Sequence, residues 1–159
     1  SAAMVAAATQ RAVAHGYDAR CSFHTGYLET LPETGQFDCA TALLVSQFIL
    51  DRHERRAFFS GIAGRLKPGG LLASADLAGD ADSPSHADLL DVWLRTMAAA
   101  DVAPERMQQM REAYARDIAI LPPATLQALI ASAGFSTPVQ FHQAGLIHAF
   151  YGRRRTLDG

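Results

Sequence analysis

Three residues that could contact a ligand follow directly on an apolar stretch of the chain: Ser46, Gln47 and Phe48. The preceding stretch, residues 39–45, is apolar on both faces apart from Thr41, as is typical of a strand buried on both sides of a parallel sheet. Open α/β sheets bind ligands beyond the carboxyl ends of such strands. The triplet is therefore a candidate binding site, and an ordinary strand-to-helix turn is the alternative interpretation.

A second set of candidate residues consists of Trp93, Tyr114 and Arg116. They fall on two predicted helices and could line a substrate pocket. Because Trp93 and Tyr114 lie on apolar helical stripes, core packing is the alternative for both. Arg111 and Arg116 could receive an anionic group, although arginines in such positions are more often solvated.

Metal and hydrolase chemistry have no sequence support. The six histidines lack the close spacing with other N or S ligands that a zinc site requires, so we expect no metal. The sequence also lacks a G-x-S-x-G elbow and a P-loop.

The candidate triplet must be positioned by a strand, a helix and a second strand. Asp51 and Glu54 are spaced as a capping box, which predicts a helix start. Apolar residues then recur at helical spacing until the Pro-Gly-Gly sequence at residues 68–70 ends the helix. Residues 71–77 are predicted to form a second buried strand. Together these segments predict a right-handed βαβ unit of an open sheet.

The remaining elements complete an α/β pattern. The sequence predicts a helix over residues 1–15, a short strand over 20–25, two helices within 83–120, a helix that ends at Gly134, and a strand hairpin over 135–141 and 145–151.

One part of this pattern is specific enough to resemble a known family. The Phe37-Asp38 pair, the apolar strand, the Ser46-Gln47-Phe48 turn and the Leu-Lys-Pro-Gly-Gly sequence at residues 66–70 resemble the centre of a class I S-adenosylmethionine-dependent methyltransferase. The resemblance implies a Rossmann-like sheet, mostly parallel with an antiparallel C-terminal strand, and a helical insertion after the fifth strand. It also implies S-adenosylmethionine as cofactor and methyl transfer to a small-molecule acceptor. The block over residues 93–134 is also similar to the branch of the family that contains carboxy-S-adenosylmethionine synthase. The sequence does not decide to which branch the chain is most similar.

The resemblance also assigns roles to particular residues. The Ser46, Gln47 and Phe48 turn would border the methionine half of the cofactor. Gly26, Tyr27 and Leu28 would form the loop beside the adenine, with Tyr27 in the place of the family's usual acidic residue. The second set of candidates would lie beneath the helical insertion, as a substrate pocket.

Two hallmarks of the family are missing from this sequence: the Gly-x-Gly-x-Gly loop after strand one and the acidic residue that ends strand two. The fold expected is therefore a partial domain over residues 1–153 that lacks strands one and two, followed by a frayed tail over 154–159. In the family's strand order, 3-2-1-4-5-7-6, strand four then becomes an edge, which can template pairing with another chain. Three outcomes are open: the natural protein has further residues, strand three pairs with strand four, or two chains form a homodimer.

The composition and charge of the chain limit which classes of function the protein can have. A chain of 159 residues with 49% hydrophobic and 19% charged residues fits one globular domain. The net charge of −2 gives no general attraction to nucleic acid or membrane, and we expect a cytoplasmic protein. Cys21 and Cys39 are predicted to be buried free thiols in strands. We expect the 159-residue chain alone to be inactive, and the alternative function is a non-catalytic module that binds a partner or itself through the exposed sheet edge.

Overall fold

The computed structural model describes residues 1–32, 36–98 and 103–156. The chain separates into two compact units, Ser1–Gly35 and Gln36–Gly159. No helix within the described ranges is long and apolar enough to cross a membrane.

The first unit consists of one helix and irregular chain. The Ala-rich helix α1 spans Ala2–Ala14, and Gly16 follows it in the left-handed conformation with φ +68°. Single 3-10 turns follow at Asp18–Arg20 and Leu28–Thr30. The strand predicted over residues 20–25 is wrong. Cys21 is extended, but a strand needs a hydrogen-bonded neighbour, and none of the described strands pairs with this segment.

The second unit is built on a mixed four-stranded sheet in the order β1-β2-β4-β3. Its strands are β1 (Phe37–Leu43), β2 (Leu66–Leu77), β3 (Val139–Ala144) and β4 (Ile147–Arg153). The pair β1 and β2 is parallel, whereas β4 is antiparallel to both β2 and β3. The predicted α/β fold with an antiparallel C-terminal strand is therefore confirmed, and the order matches the last four positions of the order 3-2-1-4-5-7-6.

The strand β1 forms one edge of the described sheet and is only partly covered. Leu43 is 60% exposed and Phe37 is 44% exposed, so the prediction of a strand buried on both faces is wrong, whereas the expectation of an edge strand is met. Both cysteines are exposed as well, which corrects their predicted burial. Cys39 is exposed because it lies on this edge strand, and Cys21 because it lies in irregular chain.

Helix α2 spans Arg52–Arg65 and connects the two parallel strands. Its start follows the predicted cap, since the Glu54 N–H donates to Asp51 Oδ1 at 2.9 Å. The strand β2 begins earlier than residue 71 because Leu66 already pairs with Phe37. A register shift then accommodates the Pro-Gly-Gly sequence as a bulge, where Gly69 has φ +76°.

Three helices complete the second unit: α3 (Ser85–Ala98), α4 (Pro104–Asp117) and α5 (Pro123–Ser132). The apolar face of α5 enters the core, where Leu126, Leu129 and Ile130 are buried. The tail predicted to be frayed from residue 154 is held at its start. The Arg154 N–H donates to Gly70 O at 2.8 Å and the Arg155 N–H donates to Gly134 O at 2.9 Å, so hydrogen bonds to the backbone fix these two residues.

Candidate functional site

The predicted turn Ser46–Phe48 lies at the carboxyl end of β1, beside the carboxyl end of β2. Both ends meet at Asp76, which is fully buried. The Ser46 hydroxyl donates to Asp76 Oδ2 at 2.7 Å, and the Gln47 N–H donates to Asp76 Oδ1 at 3.0 Å. The Ser74 hydroxyl donates to Asp76 Oδ2 at 3.2 Å. One carboxylate therefore fixes the turn that the sequence singled out.

Arg55 of α2 reaches the same carboxylate from the helix side. Its Nε donates to Ser46 Oγ at 2.9 Å, and its Nη1 donates to the carbonyl oxygen of Ala119 at 2.9 Å. Its Nη2 lies 3.7 Å from Asp76 Oδ1 and has no hydrogen-bond partner among the described residues. Both side chains of this ion pair are almost completely shielded from solvent. The arginine thus links the turn, the end of β2 and the segment after α4.

Burial dominates the electrostatics of this pair. Desolvation raises the pKa of Asp76 above its ordinary value. The hydrogen bond from Ser46 and the charge of Arg55 lower this pKa, but their effect is smaller than that of desolvation. Desolvation likewise lowers the pKa of Arg55, and the charge of Asp76 opposes that change. A guanidinium stays protonated in proteins, so the proton that can move in this network is the one on Asp76.

Gln47 is held by hydrogen bonds at three points. Its N–H is bound to Asp76, its Oε1 accepts from the Leu77 N–H at 2.8 Å, and its carbonyl oxygen accepts from the Ala119 N–H at 2.8 Å. Ser46 and Gln47 are buried, whereas Phe48 is 58% exposed. Of the predicted triplet, only Phe48 presents a largely solvent-accessible side chain.

The predicted loop at Gly26, Tyr27 and Leu28 lies in the first unit. Gly26 has φ +155°, and a Cβ atom there would lie 2.5 Å from Thr30 Oγ1 and 2.8 Å from His24 Nε2. Those two atoms are hydrogen-bonded to each other at 2.9 Å, so only glycine fits beneath this contact. Tyr27 is 81% exposed and Leu28 is half-buried.

The second set of predicted residues is distributed over α3 and α4. Trp93 and Tyr114 are half-buried, and Trp93 Nε1 is shielded with no hydrogen-bond partner among the described residues. Arg116 is exposed and forms two hydrogen bonds of 2.8 Å with its neighbour Asp117. Arg111 forms an ion pair with Asp91 of α3. Both arginines that could receive an anionic group therefore have a carboxylate partner within the chain.

Sequence reasoning missed the three residues that fix the turn: Arg55, Ser74 and Asp76. A signal was present for two of them. Arg55 falls at helical spacing from Phe59, on the apolar face of α2. Asp76 is the only charged residue among residues 71–77, a segment predicted to be buried. A charged residue at a position that the pattern buries requires a partner, and these two charges are opposite.

Comparison with known proteins agrees with this architecture. Residues 1–70 match the family model described as a methyltransferase domain. No curated protein matches the chain significantly. Among solved structures, a possible exported protein from Bordetella parapertussis is 21% identical with a TM-score of 0.66, and the match covers 94% of this chain and 49% of that one.

Two further structures are named as methyltransferases. An O-methyltransferase family protein from Burkholderia thailandensis is 20% identical with a TM-score of 0.65, covering 96% of this chain and 41% of that chain. Human N-acetylserotonin methyltransferase, solved in complex with S-adenosylmethionine, is 19% identical with a TM-score of 0.55, covering 85% and 34%. The chain thus spans less than half of the length of each of these three structures, and at these identities the likeness shows the fold.

The family match of residues 1–70 and the fold of the chain lead to the same conclusion. The strand order, the antiparallel last strand and the turn after β1 are those that the resemblance in the sequence implies. Residues 1–70 therefore match a methyltransferase domain, and the likeness of the whole chain to solved methyltransferases shows that it shares their fold.

Proposed function

We propose that the protein containing this chain transfers a methyl group from S-adenosylmethionine to a small-molecule acceptor. The observation that carries the proposal is the buried network of Ser46, Arg55 and Asp76, which fixes the turn at the carboxyl end of β1. Methyl transfer needs alignment of donor and acceptor and exclusion of water more than it needs covalent help from the protein. A rigid turn at the ligand-binding edge of the sheet suits that task.

The described residues suit an adenosine-containing cofactor. The resemblance places this turn beside the methionine half of such a ligand, and Phe48 offers an exposed ring there for apolar contact. When bound, the cofactor supplies an electrophilic methyl group on a positively charged sulfur. Ser46 and Gln47 would act indirectly, because the contacts described above occupy the Ser46 hydroxyl and the Gln47 N–H and Oε1. Their proposed role is to hold the backbone from which Phe48 projects.

The other predicted contacts remain proposals, each within its own unit. Gly26, Tyr27 and Leu28 are proposed to border the adenine, supported by the glycine-dependent conformation of that loop. Trp93 and Tyr114 are proposed to contact the acceptor, supported by the shielded indole N–H of Trp93. Arg116 is the weakest of these candidates because Asp117 already occupies its guanidinium.

The test is a calorimetric titration with S-adenosylhomocysteine, of the 159-residue chain and of the whole natural protein that contains it. We expect the whole protein to bind saturably, and Phe48→Ala to weaken binding about tenfold, or about 1.4 kcal/mol, through loss of apolar contact with the ligand. Phe141→Ala is the matched control, since Phe141 is also 58% exposed but lies on β3. Absence of binding by the whole protein would overturn the proposal.

A second candidate function is supported by the edge strand β1. Its exposed apolar side chains Phe37 and Leu43, with Val45 just after it, lie along an edge that no described strand covers. Such an edge is a template for pairing with another chain, so a non-catalytic module that self-associates here is the alternative. It requires an oligomer at micromolar concentration and no binding of S-adenosylhomocysteine.

A further inference from the structure

A cavity of about 170 Å³ lies beyond the carboxyl end of β2, within the second unit. Its walls are the loop after β2, the start of α3, the start of α5 and the turn between β3 and β4. Six polar residues contribute to the lining: Asp80, Ser83, Ser85, His86, Gln143 and His148. A cavity of about 150 Å³ accommodates a benzene ring, so this one has room for a molecule with the dimensions of a six-membered ring.

The cavity contains a buried polar atom that the protein leaves unpaired. His86 Nδ1 is shielded from solvent and has no hydrogen-bond partner among the described residues. His148, which also lines the cavity, differs because its Nδ1 lies 3.2 Å from Gln140 Oε1. Buried ring nitrogens are normally hydrogen-bonded, so the unpaired one indicates a position where a bound molecule can supply the partner.

Gly79 keeps the space beside His86 open. A Cβ atom on Gly79 would lie 3.0 Å from His86 Nδ1 and 3.1 Å from Leu146 Cδ2. Two hydrogen bonds hold the backbone of residues 78–79 in place. The Gly79 N–H donates to Leu121 O at 2.9 Å, and the Ala78 N–H donates to Leu146 O at 2.8 Å. A single methyl group at residue 79 would therefore crowd the imidazole of His86.

The charges of the lining exclude anions. No lysine or arginine is among the described residues that line the cavity, and Asp80 adds a carboxylate. Burial lowers the pKa of His148, which favours its neutral imidazole. A carboxylate or phosphate ligand would find no lysine or arginine among the described lining residues. A neutral molecule with a hydroxyl group can both donate to and accept from an imidazole.

The cavity also begins next to the candidate site. Leu77, whose N–H is bound by Gln47, directly precedes the lining residues Ala78 and Gly79. Trp93 lies seven residues after His86 on α3, so the two lie on one side of the helix, and its shielded Nε1 also has no partner among the described residues.

We propose that this cavity binds a small neutral hydroxylated ring compound, with the ligand's hydroxyl group hydrogen-bonded to His86. The proposal rests on the cavity and on His86 alone, so it goes beyond the proposed methyl transfer and stands whether or not S-adenosylhomocysteine binds.

The experiment uses the 159-residue chain with ¹³C-labelled histidine, and phenol as the probe. The Cε1–H signal of His86, assigned by its loss in His86→Ala, is followed during the titration. We expect a saturable shift with a Kd on the order of 1 mM, as is ordinary for a ligand of seven heavy atoms. Benzoate, a ring of similar size with a negative charge, should produce no saturable shift of this signal.

Two variants locate the site and a third serves as control. Gly79→Ala, which fills the space beside His86, should weaken phenol binding at least tenfold, and His86→Ala, followed through the signal of His148, should do the same. His142→Ala removes an exposed histidine of the neighbouring strand β3 and should leave binding unchanged. If His86→Ala does not fold, the more conservative His86→Gln supplies the assignment and Gly79→Ala decides the question. No saturable shift, equal binding of benzoate, or undiminished binding by Gly79→Ala would each overturn the proposal.

Discussion

The Ser46 hydroxyl donates to Asp76 Oδ2 at 2.7 Å and thereby joins the carboxyl ends of two neighbouring parallel strands across 30 residues of sequence. Arg55 completes the arrangement, since its Nε donates to the same hydroxyl oxygen. Because all three side chains are buried, the geometry of the turn after β1 depends on an ion pair in the interior rather than on surface contacts. This dependence makes the network open to direct test.

Replacing Arg55 with methionine should strongly destabilise the chain. The substitution keeps an apolar side chain of similar length but leaves the Asp76 carboxylate buried without its cation. Removing one partner of a buried ion pair typically costs about 3–5 kcal/mol. Urea unfolding at pH 7 measures the change, and Arg52→Met is the matched control, because Arg52 is exposed on the same helix and should change the free energy of unfolding by less than about 0.5 kcal/mol. A loss below about 1 kcal/mol for Arg55→Met would contradict the importance of the pair.

The buried carboxyl should give the stability a specific pH dependence. Because burial raises the pKa of Asp76 above its ordinary value of 3.8, the folded state holds this proton more tightly than the unfolded state does. The contribution of Asp76 is therefore fully present below about pH 4 and is lost as the pH rises through the folded-state pKa. The slope is at most about 1.4 kcal/mol per pH unit.

The variant Asp76→Asn isolates this contribution, since asparagine has no proton to lose. We expect the free energy of unfolding of the wild type, minus that of the variant, to decrease as the pH rises above about 4. Asp38→Asn is the control, because the Asp38 side chain is 83% exposed in its pair with Lys67. A difference that increases with pH over the same range would show that the charged form of Asp76 is favoured in the folded state.

The same substitution at two glycines should act in opposite directions. Gly64 lies within α2 and a Cβ atom there meets no atom within 4 Å, so Gly64→Ala should stabilise the chain by about 0.5–1 kcal/mol. Gly134 has φ +108°, so Gly134→Ala should destabilise it by about 1 kcal/mol or more. Thermal unfolding followed by circular dichroism compares the two variants, and shifts of Tm in the same direction would contradict the assigned conformations.

The exposed edge of β1 gives a test of the alternative function. If chains associate through this edge, Leu43→Lys should raise the dissociation constant at least tenfold, because a charged side chain on an edge strand opposes pairing. Sedimentation velocity at micromolar concentration measures the association. Val139→Lys on the opposite edge strand is the control, as Val139 is 49% exposed against 60% for Leu43. A monomeric wild type would exclude self-association at that concentration.

Local signals in the sequence were enough for most of the elements of the second unit. The capping pair at Asp51, the apolar spacing of α5 and the alternation of polar and apolar residues depend on neighbours within one or two turns of chain. Their positions were therefore predictable. The exposure of β1 and the lack of a strand at residues 20–25 both depend on which other strands lie alongside these segments. The sequences of the two segments do not contain that information.

The sequence by itself determined the α/β pattern, the resemblance to methyltransferases and the turn at residues 46–48 as a candidate site. Only the tertiary structure decided which side chains hold that turn. Arg55, Asp76 and Ser46 come from a helix, a strand end and a loop, and nothing in their separation along the chain marks them as partners. The physical reason is that two buried charges are tolerated only when they are brought together, and the packing of α2 against the sheet alone places them within reach.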